Sequence, residues 1–385
     1  MKDVSIYFTP LSTEIEFNEG TIGSSIIQYT ENNFPELNSN GIALIYVPEF
    51  RNGEAQFQGK SNDNFRHYFY NLFVGSGWDL KLYDLGTILP GNEIEDTYFA
   101  VSQVVAELVK NKIIPLIIGG TQDLTYSLYK GYETLEQMIN ICSVDNKLDL
   151  GNPDEAIHKD GYLSQLLTHR PCYLFNNSNI GCQAPLVNKN EIDLFDKLYF
   201  DICRLGEFNS DFKKAEPHLR NADILSLDLQ SIKSSDFRGK FYDSPNGFYS
   251  EQICQISKYA GISDKLTSFG IFNLFPEGNL HSTDHLVAQI IWYFIDGVSQ
   301  RKGDFPIGSK KDYFKFSVNL DDFKDEIIFY KSDKSERWWM EVPYPPQEHM
   351  KYERHHLVPC DKNDYEKAMK NEIPDLWWKT YQKLG

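Results

Sequence analysis

Cys142-Ser143-Val144-Asp145-Asn146-Lys147-Leu148-Asp149 decides how this chain folds. An apolar run ends in Asp-x-x-x-Asp, the way a buried parallel strand delivers two carboxylates to its carboxyl end. Working outward, further β-branched apolar runs read as strands of the same sheet: Ile42 to Val47, Ile113 to Ile118, Met138 to Val144, Ile224 to Leu229 and Leu266 to Phe272. Between the first two, Val101, Val104, Val105, Leu108 and Val109 keep helical spacing, with Asn111 as a stop. A second helix runs through Leu286, Val287, Ile290, Ile291 and Phe294 and ends near Gly297. Strand–helix alternation over about 300 residues predicts an α/β domain, a doubly wound, mostly parallel sheet with helices on both faces.

The pattern changes after Gln300. Arg301-Lys302-Gly303-Asp304 reads as a linker, dividing a domain over 1–300 from an aromatic-rich appendage over 301–385. Short strands are expected at Phe314 to Val318, Glu326 to Tyr330 and Arg337 to Val342, with Lys331 to Glu336 as a hairpin loop. Asp364 to Leu384 reads as a helix interrupted near Pro374, making the appendage a small α+β unit.

Composition narrows the function. The 385 residues carry a net charge of −17, with 41% hydrophobic and 14% aromatic residues. Such a chain has the makings of a packed core but lacks the basic footprint that nucleic acid or an anionic membrane requires. No apolar leader or spanning segment is visible, so a cytoplasmic location without membrane insertion is expected. The six cysteines are scattered without a C-x-x-C pair, which argues against a zinc ribbon or disulfide framework.

Four expected strand ends carry polar clusters: Gly119-Gly120-Thr121-Gln122-Asp123, Asp145-Asn146-Lys147-Leu148-Asp149, Asp228-Leu229-Gln230 and Asn273-Leu274-Phe275-Pro276. Together they resemble the arginase/agmatinase/formimidoylglutamase (ureohydrolase) family, the formimidoylglutamase branch in particular. That branch reads G-G-G-H-E, D-A-H-x-D, S-x-D-x-D and E-x-x-P at these places. Tyr83-Asp84-Leu85-Gly86, Ile180-Gly181-Cys182-Gln183 and the loop Pro245-Asn246-Gly247-Phe248-Tyr249 extend the match across residues 40–297. The resemblance implies an arginase-like three-layer αβα domain, with Asn246 on the substrate side of the pocket.

It also implies two Mn²⁺ ions that activate a hydroxide against an amidino or formimino carbon. The six ligand positions fall on Gln122, Asp145, Lys147, Asp149, Asp228 and Gln230, and the family carboxylate beside them falls on Asn273. Only three aspartates remain, and an ammonium cannot ligate a cation. The expectation is therefore no metal cofactor. The alternative is one divalent ion (Mn²⁺, Mg²⁺ or Ca²⁺) on Gln122, Asp145, Asp149 and Asp228. Without metal, Lys147 is expected to be buried among Asp145, Asp149 and Asp228, its ammonium in place of the lost ion.

Other clusters have ordinary readings. His281 and His285 are expected to open a helix rather than bind metal, and His349, His355 and His356 to lie on the surface near Cys360. Trp338, Trp339, Tyr344, Trp377 and Trp378 would form the appendage core or an interface. The functional expectation is a ureohydrolase-fold pseudoenzyme with binding or scaffolding duties, with a protein partner on the appendage or an amino-acid-like ligand in the old pocket. The family resemblance implies a homo-oligomer. The alternative is a C–N hydrolase of the formimidoylglutamase or amidinohydrolase type with a rebuilt mononuclear site.

Overall fold

The computed structural model describes residues 4–11, 17–31, 33–238, 244–276, 281–321, 326–345 and 352–385. Nine strands build the main sheet: β1 (Ile27–Gln28), β2 (Gly41–Tyr46), β3 (Lys81–Thr87), β4 (Ile113–Ile118), β5 (Ile139–Val144), β6 (Leu174–Ile180), β7 (Asp201–Cys203), β8 (Ile224–Asp228) and β9 (Ser268–Phe272). Their order across the sheet is β1-β3-β2-β4-β9-β8-β5-β6-β7, and every described neighbouring pair is parallel. Among the described residues nine α-helices accompany them: α1 (Phe65–Tyr70), α2 (Ile94–Lys110), α3 (Leu124–Glu133), α4 (Tyr162–Thr168), α5 (Lys189–Lys197), α6 (Leu205–Ser210), α7 (Glu216–Asn221), α8 (Ser250–Ile262) and α9 (His281–Ser299).

The central strands are buried on both faces, and their side chains split by the period of two. Ile42, Leu44 and Tyr46 of β2 enter one core with Val287, Ile290 and Ile291 of α9. Ala43 and Ile45 enter the other with Val101, Val104 and Val105 of α2. Two cores separated by one sheet make the three-layer αβα architecture. β4, β9, β8 and β5 lie side by side at its centre, so the four expected polar clusters emerge together at one end of the sheet.

The appendage contains the antiparallel sheet β10 (Tyr313–Val318), β11 (Ile327–Ser332), β12 (Trp338–Glu341) and β13 (Leu357–Cys360), in that order. Helices α10 (Lys362–Ala368) and α11 (Asp375–Leu384) follow, broken at Pro374 as expected. Trp377 and Met340 pack with Phe175 of β6 in a single core. Arg354 reaches Asp223 at 2.6 Å, and Arg220 donates to the carbonyls of Trp338 at 2.9 Å and Cys360 at 2.8 Å. Asp223 precedes β8, so these bonds fasten the appendage near the end of the sheet opposite the polar clusters.

Two expectations need correction here. The segment read as a linker is tied down, because Gly303 and Asp304 donate their amides to the carboxylate of Asp264 and Asp304 is buried. His355 is not a surface residue: it is 2% exposed, stacked on Phe175 with ring centroids 4.2 Å apart. Its Nε2 lies 3.2 Å from the carbonyl of Met138. The aromatic density of the tail pulled this histidine into the core. His349 lies outside the described residues.

Candidate functional site

At the carboxyl ends of β5 and β8, Asp145, Asp149 and Asp228 come together with Gln122 after β4 and Asn273 after β9, all buried. Each aspartate is held by local backbone geometry. Asp145 Oδ1 accepts the Lys147 amide at 2.8 Å, and Asp228 Oδ1 accepts the Gln230 amide at 2.7 Å. Asn273 Nδ2 also donates to Asp228 Oδ1, at 2.7 Å. Asp149 and Asn273 adopt left-handed backbone, at φ 47° and 62°, a conformation that Asp and Asn tolerate better than most residues. Gly120, at φ 56°, leads into Gln122, and a Cβ there would sit 2.8 Å from the carbonyl oxygens of Val47 and Glu49.

The electrostatics follow from burial. Asp149 is pushed well above the carboxylate range by burial and by Asp145, with which it shares a hydrogen bond. Asp145 is also raised by burial, opposed by hydrogen bonds from Asp149, the Lys147 amide and Gln122. Burial and mutual repulsion thus favour protonation within the pair, with Asp149 the more strongly raised of the two. Burial, then the charge of Asp145, lifts Asp228 to about 7, against the donors Asn273 and Gln230 and the cation Lys159. Tyr162 of α4 lies alongside, its hydroxyl 3.4 Å from Ser143 Oγ and 3.5 Å from Gln122 Nε2.

Lys147 does not occupy the centre of the cluster. Its ammonium turns outward to Asp160 at 2.7 Å, and the side chain is 41% exposed. The backbone explains the turn: its amide is committed to Asp145, while Asp160 offers a partially solvated partner at the rim. Gln230 enters the cluster through its backbone N–H. Asn246 is exposed and pairs with Gln183 at 3.0 Å, beside the end of β6. Asp123 turns away to the hydroxyl of Tyr98 in α2. His281 begins α9, its Nδ1 2.5 Å from the hydroxyl of Tyr68, and His285 stacks on the same tyrosine.

Sequence reasoning missed a buried cation that acts on Asp228. Lys159 is buried and pairs with buried Glu54 at 2.7 Å. Its ammonium lies 6.0 Å from the centroid of the Phe275 ring, which packs against Phe50 and Phe57. Nothing local marks Lys159 in the sequence, since its partner stands 105 residues earlier.

With this geometry, comparison with known proteins is informative. The arginase family profile matches residues 57–296. The chain belongs to the arginase family. No curated protein sequence matches it. Among solved structures, a Trypanosoma cruzi formiminoglutamase with Mn²⁺ superposes at a TM-score of 0.60 and 18% identity, over 69% of this chain and 95% of that one. The Bacillus subtilis formimidoylglutamase gives 0.64 at 16% identity, over 78% and 98%. A Bacillus cereus arginase gives 0.56 at 15%, over 67% and 98%. These likenesses establish the fold. The appended sheet and α10 and α11 follow the segment that the family profile matches.

Proposed function

We propose that this arginase-family chain is a non-catalytic binding or scaffolding protein, a pseudoenzyme whose two-metal centre has been replaced by a polar cluster of Asp145, Asp149, Asp228, Gln122 and Asn273. One observation carries the reading: one oxygen each of Asp145 and Asp228 is engaged by donors of the protein itself, while Asp145 Oδ2 has no partner among the described residues. Asp228 Oδ1 already accepts two N–H groups, one from the asparagine at the family carboxylate position. Burial and mutual repulsion raise both Asp145 and Asp149, favouring a proton that a divalent ion would have to displace. The ligand positions carry no imidazole, and among the described residues no group of three or more His, Cys, Asp or Glu side chains is arranged to hold a metal ion. The residues do not fit a two-metal centre.

A protein partner would find apolar surface on the appendage, where Phe314 is 60% and Met369 61% exposed. Among the described residues no helix is long and apolar enough to cross a membrane, and the acidic chain suits the cytoplasm. The test is metal content of protein purified without chelator, together with hydrolysis of formiminoglutamate, agmatine and arginine in the presence of Mn²⁺. The expected outcome is less than one bound ion per chain and no turnover above background. Two metal equivalents, or turnover abolished by Asp228→Ala, would overturn the reading and promote a hydrolase.

A further inference from the structure

At the end of the sheet opposite the aspartates, a cavity of about 420 Å³ opens beneath the first residues of β2 and β4. Its walls mix apolar side chains, Ile42, Leu80, Val109, Ile114 and Val298 among them, with polar ones, and both Arg301 and Asp264 stand in the lining. Arg301 donates through Nε to the carbonyl of Gly261 at 2.9 Å and through Nη2 to that of Leu266 at 2.8 Å. Its Nη1 has no hydrogen-bond partner among the described residues. The nearest opposite charge, Asp264, is turned to other donors: its two oxygens accept the amides of Gly303 at 3.2 Å and Asp304 at 3.0 Å. Burial accordingly pushes the guanidinium down to about 10, with Asp264 only partly offsetting it. A half-buried cation with an uncommitted donor beside the chamber can take an anion there.

We propose that this cavity binds a small amphipathic carboxylate, its apolar tail among Ile42, Val109 and Val298 and its carboxylate on Arg301. Helices α2 and α9 both end here, and their carbonyl ends on their own would favour a cation. Arg301 supplies that cation from the protein side and leaves Nη1 for the ligand. At the rim, exposed Asp79 and Lys112 offset each other. Ligands of open α/β sheets ordinarily bind at the carboxyl ends of strands. A second site at the amino ends is therefore separate from the aspartate cluster and independent of its metal content.

Calorimetric titration of the full chain with octanoate, 1-octanol and octylamine tests the assignment. Octanoate is expected to bind saturably, 1-octanol roughly tenfold or more weaker, and octylamine not measurably, since a hydrogen bond to a charged group separates them. Arg301→Gln should weaken octanoate roughly tenfold or more while leaving 1-octanol unchanged. Because Arg301 also supports two backbone carbonyls, a second variant guards against misfolding. Leu80→Trp, at a partly exposed loop position, should fill the chamber and abolish binding of octanoate and 1-octanol with the melting temperature retained. No saturable octanoate binding, octylamine or 1-octanol binding as tightly as octanoate, or octanoate binding unaffected by Leu80→Trp would each overturn the proposal.

Discussion

Replacing Lys159 by Met should lower the unfolding free energy by about 3–5 kcal/mol near neutral pH, the usual consequence of leaving one partner of a buried ion pair unpaired. Both side chains are nearly inaccessible, at 8% and 5% exposure, and Glu54 would be left with Gln56 Nε2, at 2.8 Å, as its side-chain donor among the described residues. Removing Lys159 also deletes the cation that acts on Asp228, so the aspartate cluster loses its charge balance in the same step. Lys147→Met provides the contrast. Its bridge to Asp160 is 41% and 42% exposed, so solvent screens it and the change should stay within about 1 kcal/mol. Chemical denaturation of the two variants and the wild type at pH 7 measures the difference. Equal losses would mean that both lysines are equivalent parts of the cluster. The double change Lys159→Met with Glu54→Gln should recover part of the stability, because it removes the stranded charge rather than one half of the pair.

The same two lysines show where sequence reading succeeds and where it stops. The central strands were legible because a parallel strand buried on both faces reads as a continuous apolar run, as Ile113–Ile118 does despite its Pro115. The carboxylates were legible because such strands end in fixed register, which put Asp145, Asp149, Asp228, Gln122 and Asn273 at one end of the sheet. β6 escaped notice because Leu174–Ile180 carries three asparagines. Tertiary bonds offset their poor strand propensity: Asn179 Nδ2 donates to the carbonyl of Lys147 at 2.6 Å, and its Oδ1 accepts the amide of Cys182 at 3.0 Å. β13 escaped because it contains Pro359, tolerated on an edge strand. The direction of the Lys147 side chain could not be read at all. Motif register fixes a Cα position, but the choice between three buried aspartates and Asp160 depends on how residues 150–161 fold back, and no periodicity encodes that.

Asp149→Asn should make the protein more stable at pH 8, and the gain should disappear near pH 4. The sign follows from linkage. The folded-state value of Asp149 lies well above the ordinary 3.8, and that of Asp228 is about 7, so the folded state holds protons that the unfolded chain releases. A raised carboxyl contributes stability that is fully present below its unfolded value and lost as pH rises through the folded one. As pH rises from about 4 through 7 the cluster therefore weakens the fold. An asparagine can still donate to Asp145, as a protonated Asp149 does, but brings no charge, so the penalty and the repulsion on Asp145 both fall away. Comparing the variant with the wild type across pH cancels the opposite trend of buried His218 and His355, whose lowered values cost stability in acid. Thermal melts from pH 4 to 8 supply the measurement. If Asp149→Asn is instead less stable at pH 8, and Mn²⁺ raises the melting point of the wild type alone, the aspartates serve a metal ion. A gain that grows with pH and ignores Mn²⁺ identifies a relic site whose charge no longer has a cation to hold.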